Sequence, residues 1–218
     1  MQLSRVGYFA DFYVYPLVAV GLGALALSPT PRHWTALSLA FVGGLAGWTL
    51  LEYLMHRWVF HHAPRIRALH DAHHADPKAL VGTPTWLGIV VIFTVVMVPS
   101  VLAGGLPLGA SFTAGLVLGY LWYGIVHYGT HHWHVGSRGY FSRIKRWHAI
   151  HHHVAGRANF GVTTSLWDHV FRTATADDNS RAAKGAMSRP EWATPGAIAS
   201  RHASGAPILS ASRRATSM

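Results

Sequence analysis

The chain contains no cysteine, which excludes disulfides, a thiolate metal site and a cysteine nucleophile. It contains only eight aspartates and glutamates in 218 residues, which argues against the carboxylate-rich diiron site of a soluble helical bundle. Any transition metal must therefore be bound through nitrogen or oxygen atoms. Charged residues make up 12% of the chain and hydrophobic residues 50%, and this balance indicates a protein embedded in a membrane.

Apolar residues are concentrated in four runs, each close to the roughly 20 residues that cross a bilayer as a helix. The runs are residues 9–27, 34–55, 83–103 and 108–125. They predict an all-α, multi-pass integral membrane protein with four transmembrane helices. Two glycine pairs lie within them, Gly43 with Gly47 and Gly115 with Gly119. These pairs either mark faces for close helix packing or reflect the general frequency of glycine in membrane helices.

Positive charge is distributed unevenly between the connections. Segments 28–33 and 104–107 carry one charge, Arg32, whereas 57–82 and the segment after the fourth run carry most of the remaining lysine and arginine. The positive-inside rule therefore predicts a cytoplasmic N-terminus and a cytoplasmic histidine-rich region. The net charge of +10 favours contact with anionic lipid head groups over nucleic acid, because the charges flank the apolar runs.

Ten of the seventeen histidines form four clusters, each at the end of an apolar run or in the polar segment beside it. The clusters are His56 and His61; His70, His73 and His74; His127 and His131; and His148, His151 and His152. Residues three or four apart share a helix face, whereas His56 and His61 are five apart and are expected to straddle a helix end. Imidazole is a common ligand for transition metals, and ten rings are enough for two ions with four or five ligands each. The pattern predicts a metal centre in a helical cap on the cytoplasmic side.

The type of ligand alone does not identify the metal, because imidazole binds zinc, copper, nickel and iron. Two iron ions are the prediction, since a histidine-rich pair at a lipid boundary suits oxygen chemistry on an apolar substrate; zinc is possible in a purified sample. His153 and His169 are possible extra ligands. Metal-bound imidazoles usually donate their second nitrogen to a carboxylate or carbonyl. Glu52, Asp71 and Asp168 are candidates for that role, with a salt bridge to arginine as the alternative.

The histidine clusters carry a resemblance to a known family. Residues 52–61, 70–77, 127–131 and 147–152 are similar to the four histidine boxes of the membrane fatty acid hydroxylase and sterol desaturase superfamily. The run 159–168 resembles the signature that follows the fourth box, and its Phe-Gly-Val-Thr core favours the fatty acid 2-hydroxylase branch. Arg172 stands where that signature usually has glycine.

The resemblance covers residues 45–173 and implies a membrane enzyme with two non-haem iron ions. Such an enzyme hydroxylates an unactivated C–H bond of a lipid acyl chain with dioxygen and two electrons. The resemblance assigns the ten clustered histidines as metal ligands and implies no further catalytic residue. Tyr120, Trp122, Tyr123 and Trp133 either line the path of the acyl chain or serve in packing and at the membrane interface.

No credible nucleotide-binding loop is present, so the electrons are expected from a separate carrier of the cytochrome or ferredoxin type. A basic surface is a candidate docking face for it, with lipid binding as the alternative; it comprises Arg143, Lys145, Arg146 and Arg157. The predicted hydroxylase domain spans residues 1–175. Residues 176–218 form a basic tail without apolar periodicity, which predicts disorder.

Two other functions fit parts of the pattern. A sterol or carotenoid oxygenase or a desaturase of the same superfamily would share the histidine boxes. A histidine-rich membrane metal transporter would belong to a different class, and it should place its ligands near mid-membrane. The clusters lie at the ends of the apolar runs instead, which argues against a transporter. Nothing in the sequence indicates the oligomeric state.

Overall fold

The computed structural model of the chain describes residues 2–153 and 157–175, and regular structure in them is helical. The one β contact in this part is an isolated bridge between Gln2 and Val81. The helices are α1 Arg5–Phe9, α2 Asp11–Leu27, α3 Trp34–Leu54 continuing as a π-helix Met55–Phe60, α4 Pro64–Ala75, α5 Thr85–Val91 continuing as a π-helix Ile92–Met97, α6 Val98–His132, α7 Tyr140–His153 and α8 Leu166–Val170. The predicted all-α class is thus confirmed, whereas the predicted disordered tail lies outside the described residues.

Three helical segments are long and apolar enough to cross a membrane: Arg5–Leu27, Trp34–Phe60 and Thr85–His132. Their outward faces carry large apolar side chains, and Leu17, for example, is 72% exposed and Leu102 82% exposed. Contiguous apolar surface of this extent is not tolerated in water. Lipid is therefore the solvent of these faces, and the prediction of an integral membrane protein is confirmed.

The third segment contains both of the apolar runs predicted as the third and fourth spans. Gly105 interrupts its helix with φ 79° and ψ 167°, a conformation that glycine adopts without the steric cost of a Cβ atom. A Cβ atom on Gly109 would lie 2.6 Å from the backbone nitrogen of Val101, so the two legs fold back against each other. The helical hairpin follows from the Gly-Gly-Leu-Pro turn, while the number of four membrane crossings stays a prediction.

Helices α3 and α6 pack main chain against main chain through two glycines. A Cβ atom on Gly44 would overlap the Phe112 carbonyl, and one on Gly115 would overlap the Phe41 carbonyl. Of the predicted small-residue positions on α6, Gly115 belongs to this contact, and a Cβ atom on Gly119 would lie 2.6 Å from Cβ of Trp48 on α3. On α3 the close contact uses Gly44 instead, and Gly43 and Gly47 are in ordinary contact with the Phe112 ring. The close packing brings the ends of α3 and α6, with their histidines, to one side of the bundle.

Alanine at Gly44 or Gly115 is expected to destabilise the protein by about 1–3 kcal/mol, because the added methyl group must push two helix backbones apart. Gly23→Ala is the matched control, since no atom lies within 4 Å of a Cβ atom there. Unfolding in detergent, followed by tryptophan fluorescence, would measure the difference. Equal stability of G44A, G115A and G23A would contradict the close helix contact.

Candidate metal centre

The ten predicted histidines come together at the ends of α3 and α6, with α4 and α7 lying across them. Five of them form a first group in which one nitrogen of each ring lies within 4.8 Å of all the others: His56, His61, His70, His74 and His151. Neighbouring Nε2 atoms in this group approach to 3.0–3.3 Å. The convergence of five ring nitrogens on one point is the arrangement of ligands around a cation.

A second group of ring nitrogens, again within 4.8 Å of one another, consists of His73, His131, His148 and His152. His127 adjoins it, with its Nε2 3.1 Å from Nε2 of His73 and its ring centroid 5.0 Å from that of His131. The second group therefore offers four convergent rings and a fifth beside them.

Helices α4 and α7 each contribute to both groups, and helical spacing explains how. His70 and His74, four residues apart on α4, belong to the first group, while His73 belongs to the second. On α7, His148 and His152 are likewise four apart and face the second group. The groups touch where the rings of His74 and His152 stack, with centroids 4.1 Å apart and planes at 13°.

A π-helical turn positions the histidines that are five residues apart. Residues Met55–Phe60 form this turn, and a π-helix bonds residue i to residue i+5 instead of i+4. The rings of His56 and His61 consequently stack, with centroids 5.3 Å apart and planes at 18°. The two residues straddle the helix end as expected, since His56 lies within the last turn and His61 caps it; the widened π-helical turn, which brings their rings together, was not predicted.

Backbone carbonyls fix the orientation of two rings in the first group. Nδ1 of His56 lies 2.5 Å from the Phe160 carbonyl, and Nδ1 of His151 lies 2.7 Å from the Ala158 carbonyl. A carbonyl oxygen only accepts, so each Nδ1 carries the proton and each Nε2 presents a lone pair to the group. Lone pairs directed at one another repel unless a cation lies between them, and this donor set therefore fits a metal ion.

Burial holds the clustered imidazoles outside the membrane segments in their neutral form. Burial, reinforced by repulsion from neighbouring histidines, lowers the pKa of His61 and of His73 to about 4. The same causes lower the pKa of His70 to about 2, and burial lowers that of His151 to about 3. Neutral imidazole is the form that binds metals, whereas a cationic cluster for lipid head groups would need the protonated form.

Glu52 and Asp168 support the centre indirectly. Glu52 is buried and accepts hydrogen bonds from the amides of Val162 and Thr163 at 2.6 and 2.7 Å and from the Thr163 hydroxyl at 2.7 Å. The two carboxylates were predicted to bind ligand imidazoles directly. In the structure they instead accept hydrogen bonds from the loop 158–163, and backbone carbonyls of that loop bind the imidazoles. The carboxylates thus act on the ligands through the loop.

Asp168 is fully buried and accepts four hydrogen bonds. They come from the amides of Phe160 and Gly161, both at 2.8 Å, from the Thr173 hydroxyl at 2.8 Å and from the Trp147 indole at 3.2 Å. The bond from Trp147 ties the loop to α7, which carries three of the clustered histidines. The position of the loop relative to the metal groups therefore depends on this carboxylate together with that of Glu52.

The remaining candidates lie away from the centre. Asp71 is exposed and forms a salt bridge with Arg67 at 3.4 Å. A salt bridge to arginine was the alternative to a bond with a ligand imidazole. His153 is exposed, and His169 places its Nδ1 2.7 Å from the Ser165 carbonyl while stacking on Trp147. Among the described residues, neither histidine belongs to a group of convergent nitrogens.

Sequence reasoning missed the two backbone carbonyls, and a weak signal for their loop was available in Asn159. Asn159 has φ 57°, a left-handed conformation that asparagine tolerates better than most residues. Its side-chain oxygen accepts a hydrogen bond from the Thr175 amide at 2.8 Å. Arg172 also has a left-handed φ of 56°, which explains why glycine suits that position.

A cavity of about 220 Å³ opens beside both groups. His70, His73 and His127 form its polar wall, and much of the rest is apolar or aromatic. Tyr120 and Tyr123 line the cavity, which agrees with the alternative that they line the path of the acyl chain. Trp122 and Trp133 are not among its lining residues; they pack on Phe141 and the neighbouring Tyr140.

Comparison with known proteins identifies the family. Residues 41–173 match the family model of the fatty acid hydroxylases. Fatty acid 2-hydroxylase of Rattus norvegicus is 34% identical over 145 residues, which are 61% of this chain and 38% of the rat protein. Dihydroceramide fatty acyl 2-hydroxylase FAH2 of Arabidopsis thaliana is 30% identical over 191 residues, covering 78% of this chain and 75% of the plant protein.

A solved structure extends the likeness to the fold. It is described as full-length scs7p with only the hydroxylase domain visible; it aligns with a TM-score of 0.69 and 26% identity over 79% of this chain and 68% of that one. The chain spans only about two fifths of the length of its rat relative and of the ceramide very long chain fatty acid hydroxylase scs7 of Schizosaccharomyces pombe, at 38% and 41%. Because residues 41–173 match the family model, this chain belongs to the fatty acid hydroxylase family.

Proposed function

We propose that this chain is a membrane-bound non-haem diiron oxygenase that hydroxylates an unactivated C–H bond of a lipid acyl chain. The observation that carries the proposal is the pair of adjoining groups of convergent, neutral imidazoles at the wall of a largely apolar cavity. The relatives named as fatty acid and ceramide hydroxylases support the same substrate class. Residues 1–175 form the hydroxylase domain in this proposal.

Each metal ion would take its ligands from one group. The first ion would be held by His56, His61, His70, His74 and His151, and the second by His73, His131, His148 and His152, with His127 beside them. A bound pair of iron ions supplies the reduction of dioxygen and the transfer of one oxygen atom to the C–H bond. Two electrons and two protons reduce the other oxygen atom to water.

The residues of the chain orient the metal ligands, enclose the acyl chain and exclude water from the site. The carbonyls of Phe160 and Ala158 keep the His56 and His151 lone pairs directed at the ion. Apolar residues such as Phe12 and Leu121 on the cavity wall bind the acyl chain and exclude water from it. The side chains position the substrate next to the metal pair, and this positioning selects the carbon that is attacked.

The membrane arrangement belongs to the same proposal. We infer four crossings, with the kink at Gly105 on the outer side and the N-terminus, α4 and α7 on the cytoplasmic side. The location of most lysines and arginines in segments next to α4 and α7 supports this orientation. A cytoplasmic centre is accessible to a soluble or membrane-anchored electron carrier.

Mass spectrometry of lipids from cells with and without the chain tests the function. Acyl lipids that gain one oxygen atom are the expected products, and fragmentation locates the hydroxyl group. Acyl lipids that lose two hydrogens would identify a desaturase, and modified sterols or carotenoids would identify the other branch of the superfamily. An unchanged lipid profile in cells whose membranes contain the iron-loaded chain would refute the proposal.

The electron carrier is proposed to dock on the basic surface of α7 and its surroundings. Arg143 and Arg157 are exposed there, whereas Lys145 and Arg146 are engaged with the backbone carbonyls of Trp133 and Ser137. Replacing Arg143 and Arg157 by glutamate is expected to raise the apparent KM for an acidic carrier about tenfold or more, because attraction becomes repulsion.

Arg32→Glu is the control for this change, since Arg32 lies in the connection on the opposite side of the proposed membrane arrangement. It should leave the apparent KM for the carrier unchanged in steady-state assays at low salt. If both changes raise the apparent KM for the carrier equally, or if neither raises it, docking on this surface is contradicted. Lipid head groups would then be the partner of this surface.

A further inference from the structure

A row of aromatic rings leads from the second histidine group into the membrane helices. The Tyr123 ring stacks on His127, with centroids 5.5 Å apart and planes at 12°. Trp48 follows at 5.8 Å from Tyr123 and 5.1 Å from Tyr120. The two tyrosine rings lie 6.4 Å apart. Oxidisable rings in such close succession pass electrons by tunnelling, because each step is short.

Oxidation of a tyrosine at neutral pH also requires an acceptor for its phenolic proton. The Tyr120 hydroxyl has one, since it donates to a carboxylate oxygen of Asp11. Trp48 Nε1 and the hydroxyl of the neighbouring Tyr15 are buried without a hydrogen-bond partner in the described residues. Of the rings in this row, Tyr120 is therefore the one best equipped to lose an electron and a proton together.

Asp11 is an unusual residue for its place. It lies in the first turn of α2, within the segment Arg5–Leu27 that is apolar enough to cross a membrane, and it faces the cavity beside the histidines. Thr85 donates to its other oxygen at 2.5 Å, and no lysine or arginine of the described part pairs with it. An ionisable group in a span is costly and is a functional candidate by default.

We propose that Tyr123, Trp48 and Tyr120, with Asp11 as proton acceptor, form an electron relay that reduces the oxidised metal centre when no lipid is bound. This inference rests on the proposed function, which supplies the oxidant. One electron leaves Tyr120 and reaches the metal centre through Trp48 and Tyr123. The phenolic proton moves to the Asp11 carboxylate, leaving a neutral tyrosyl radical beside a neutral carboxylic acid.

The relay is completed by the proposed electron carrier. One electron from the carrier reduces the Tyr120 radical, and Asp11 returns the proton, so that both residues are restored. The benefit is protection, because an oxidised centre without substrate otherwise attacks the nearest oxidisable groups, its own imidazole ligands. The rival interpretation is structural, since a hydrogen bond between Asp11 on α2 and Tyr120 on α6 also joins two membrane helices.

The test uses the full chain loaded with ferrous iron in a steroid-based detergent that offers no acyl chain. Samples are frozen after mixing with dioxygen and examined by electron paramagnetic resonance with ring-deuterated tyrosine. Oxidised histidines are mapped by peptide mass spectrometry. The variants are Tyr120→Phe and Asp11→Asn, and Tyr13→Phe is the control because Tyr13 is 75% exposed on the outer face of α2.

The expected result is a tyrosyl radical in the wild type and in Y13F, and its loss in Y120F and D11N. Oxidation of His127 and its neighbours should rise in the two relay variants. The structural interpretation instead predicts lower thermal stability for Y120F and D11N with histidine oxidation unchanged. A wild type without the radical, or a Y120F variant that retains it, would overturn the relay.

The same experiment separates the relay from the proposed function. Hydroxylated lipid formed by a wild type that gives no tyrosyl radical would refute the relay and leave the function standing. A Tyr120 radical in a chain that hydroxylates no lipid would support the relay and the oxygen-activating metal centre on which it rests, and would refute only the lipid acyl chain as the substrate.

Discussion

Replacing His151 with alanine is expected to abolish lipid hydroxylation, with a loss greater than about 100-fold, because removal of even an outer-shell partner of a metal ligand costs 10–100-fold. His151 is fully buried in the first group, and its Nδ1 is anchored on the Ala158 carbonyl. Bound iron should fall by about half or more, since the first group loses a ligand and the second group loses the ordering of α4 and α7 that the first ion provides. His131→Ala should give the same loss of activity through the second group.

His62→Ala provides the matched control. His62 adjoins His61 in the sequence, but its Nδ1 lies 3.1 Å from the Arg57 carbonyl and it belongs to neither group. Its replacement should leave iron content, measured by elemental analysis, and product formation, measured by lipid mass spectrometry, unchanged. Full activity in H151A and H131A would refute the assignment of the ligands.

Replacing Asp168 with alanine is expected to lower the free energy of unfolding by about 3–5 kcal/mol, because several buried donors lose their acceptor at once. Four donors depend on this carboxylate, including the amides of Phe160 and Gly161. Once the loop is released, the Phe160 and Ala158 carbonyls no longer orient His56 and His151. Iron affinity should therefore fall even though no ligand has been changed.

Asp71→Ala is the control, since Asp71 is exposed and its pair with Arg67 contributes at most about 1 kcal/mol. Thermal unfolding in detergent measures the stability of both variants, and competition with a chelator measures their iron affinity. A D168A protein with the stability and iron affinity of D71A would show that the loop does not hold the ligands in place.

Much of the fold was predictable because membrane helices leave strong signals. The lengths of the apolar runs and the turn around Gly105 follow from the properties of lipid and of glycine. The grouping of His148 with His152, and of His70 with His74, follows from helical spacing alone. The same spacing places His73 on a different face of α4 from His70 and His74. Which other histidines each of these faces meets is set by tertiary packing.

Three features of the site carry little or no signal in the sequence. A π-helical turn depends on hydrogen bonds that no residue type specifies, so the pairing of His56 with His61 was not predictable. Backbone carbonyls are present at every residue, and only Asn159, which lies between Ala158 and Phe160, gives a weak sign of the loop that carries these two. Asp11 precedes the region of family resemblance, and its proximity to the histidines results from the packing of α2 on α6.

The shared use of α4 and α7 has a consequence for how the protein acquires its metals. An ion bound by His70, His74 and His151 would immobilise the two helices that also carry His73, His148 and His152. The second set of rings would then already be ordered, because the stacked pair of His74 and His152 links the two sets. In the proposed two-ion centre, uptake is therefore expected to be cooperative, and half-filled molecules are expected to be scarce at equilibrium.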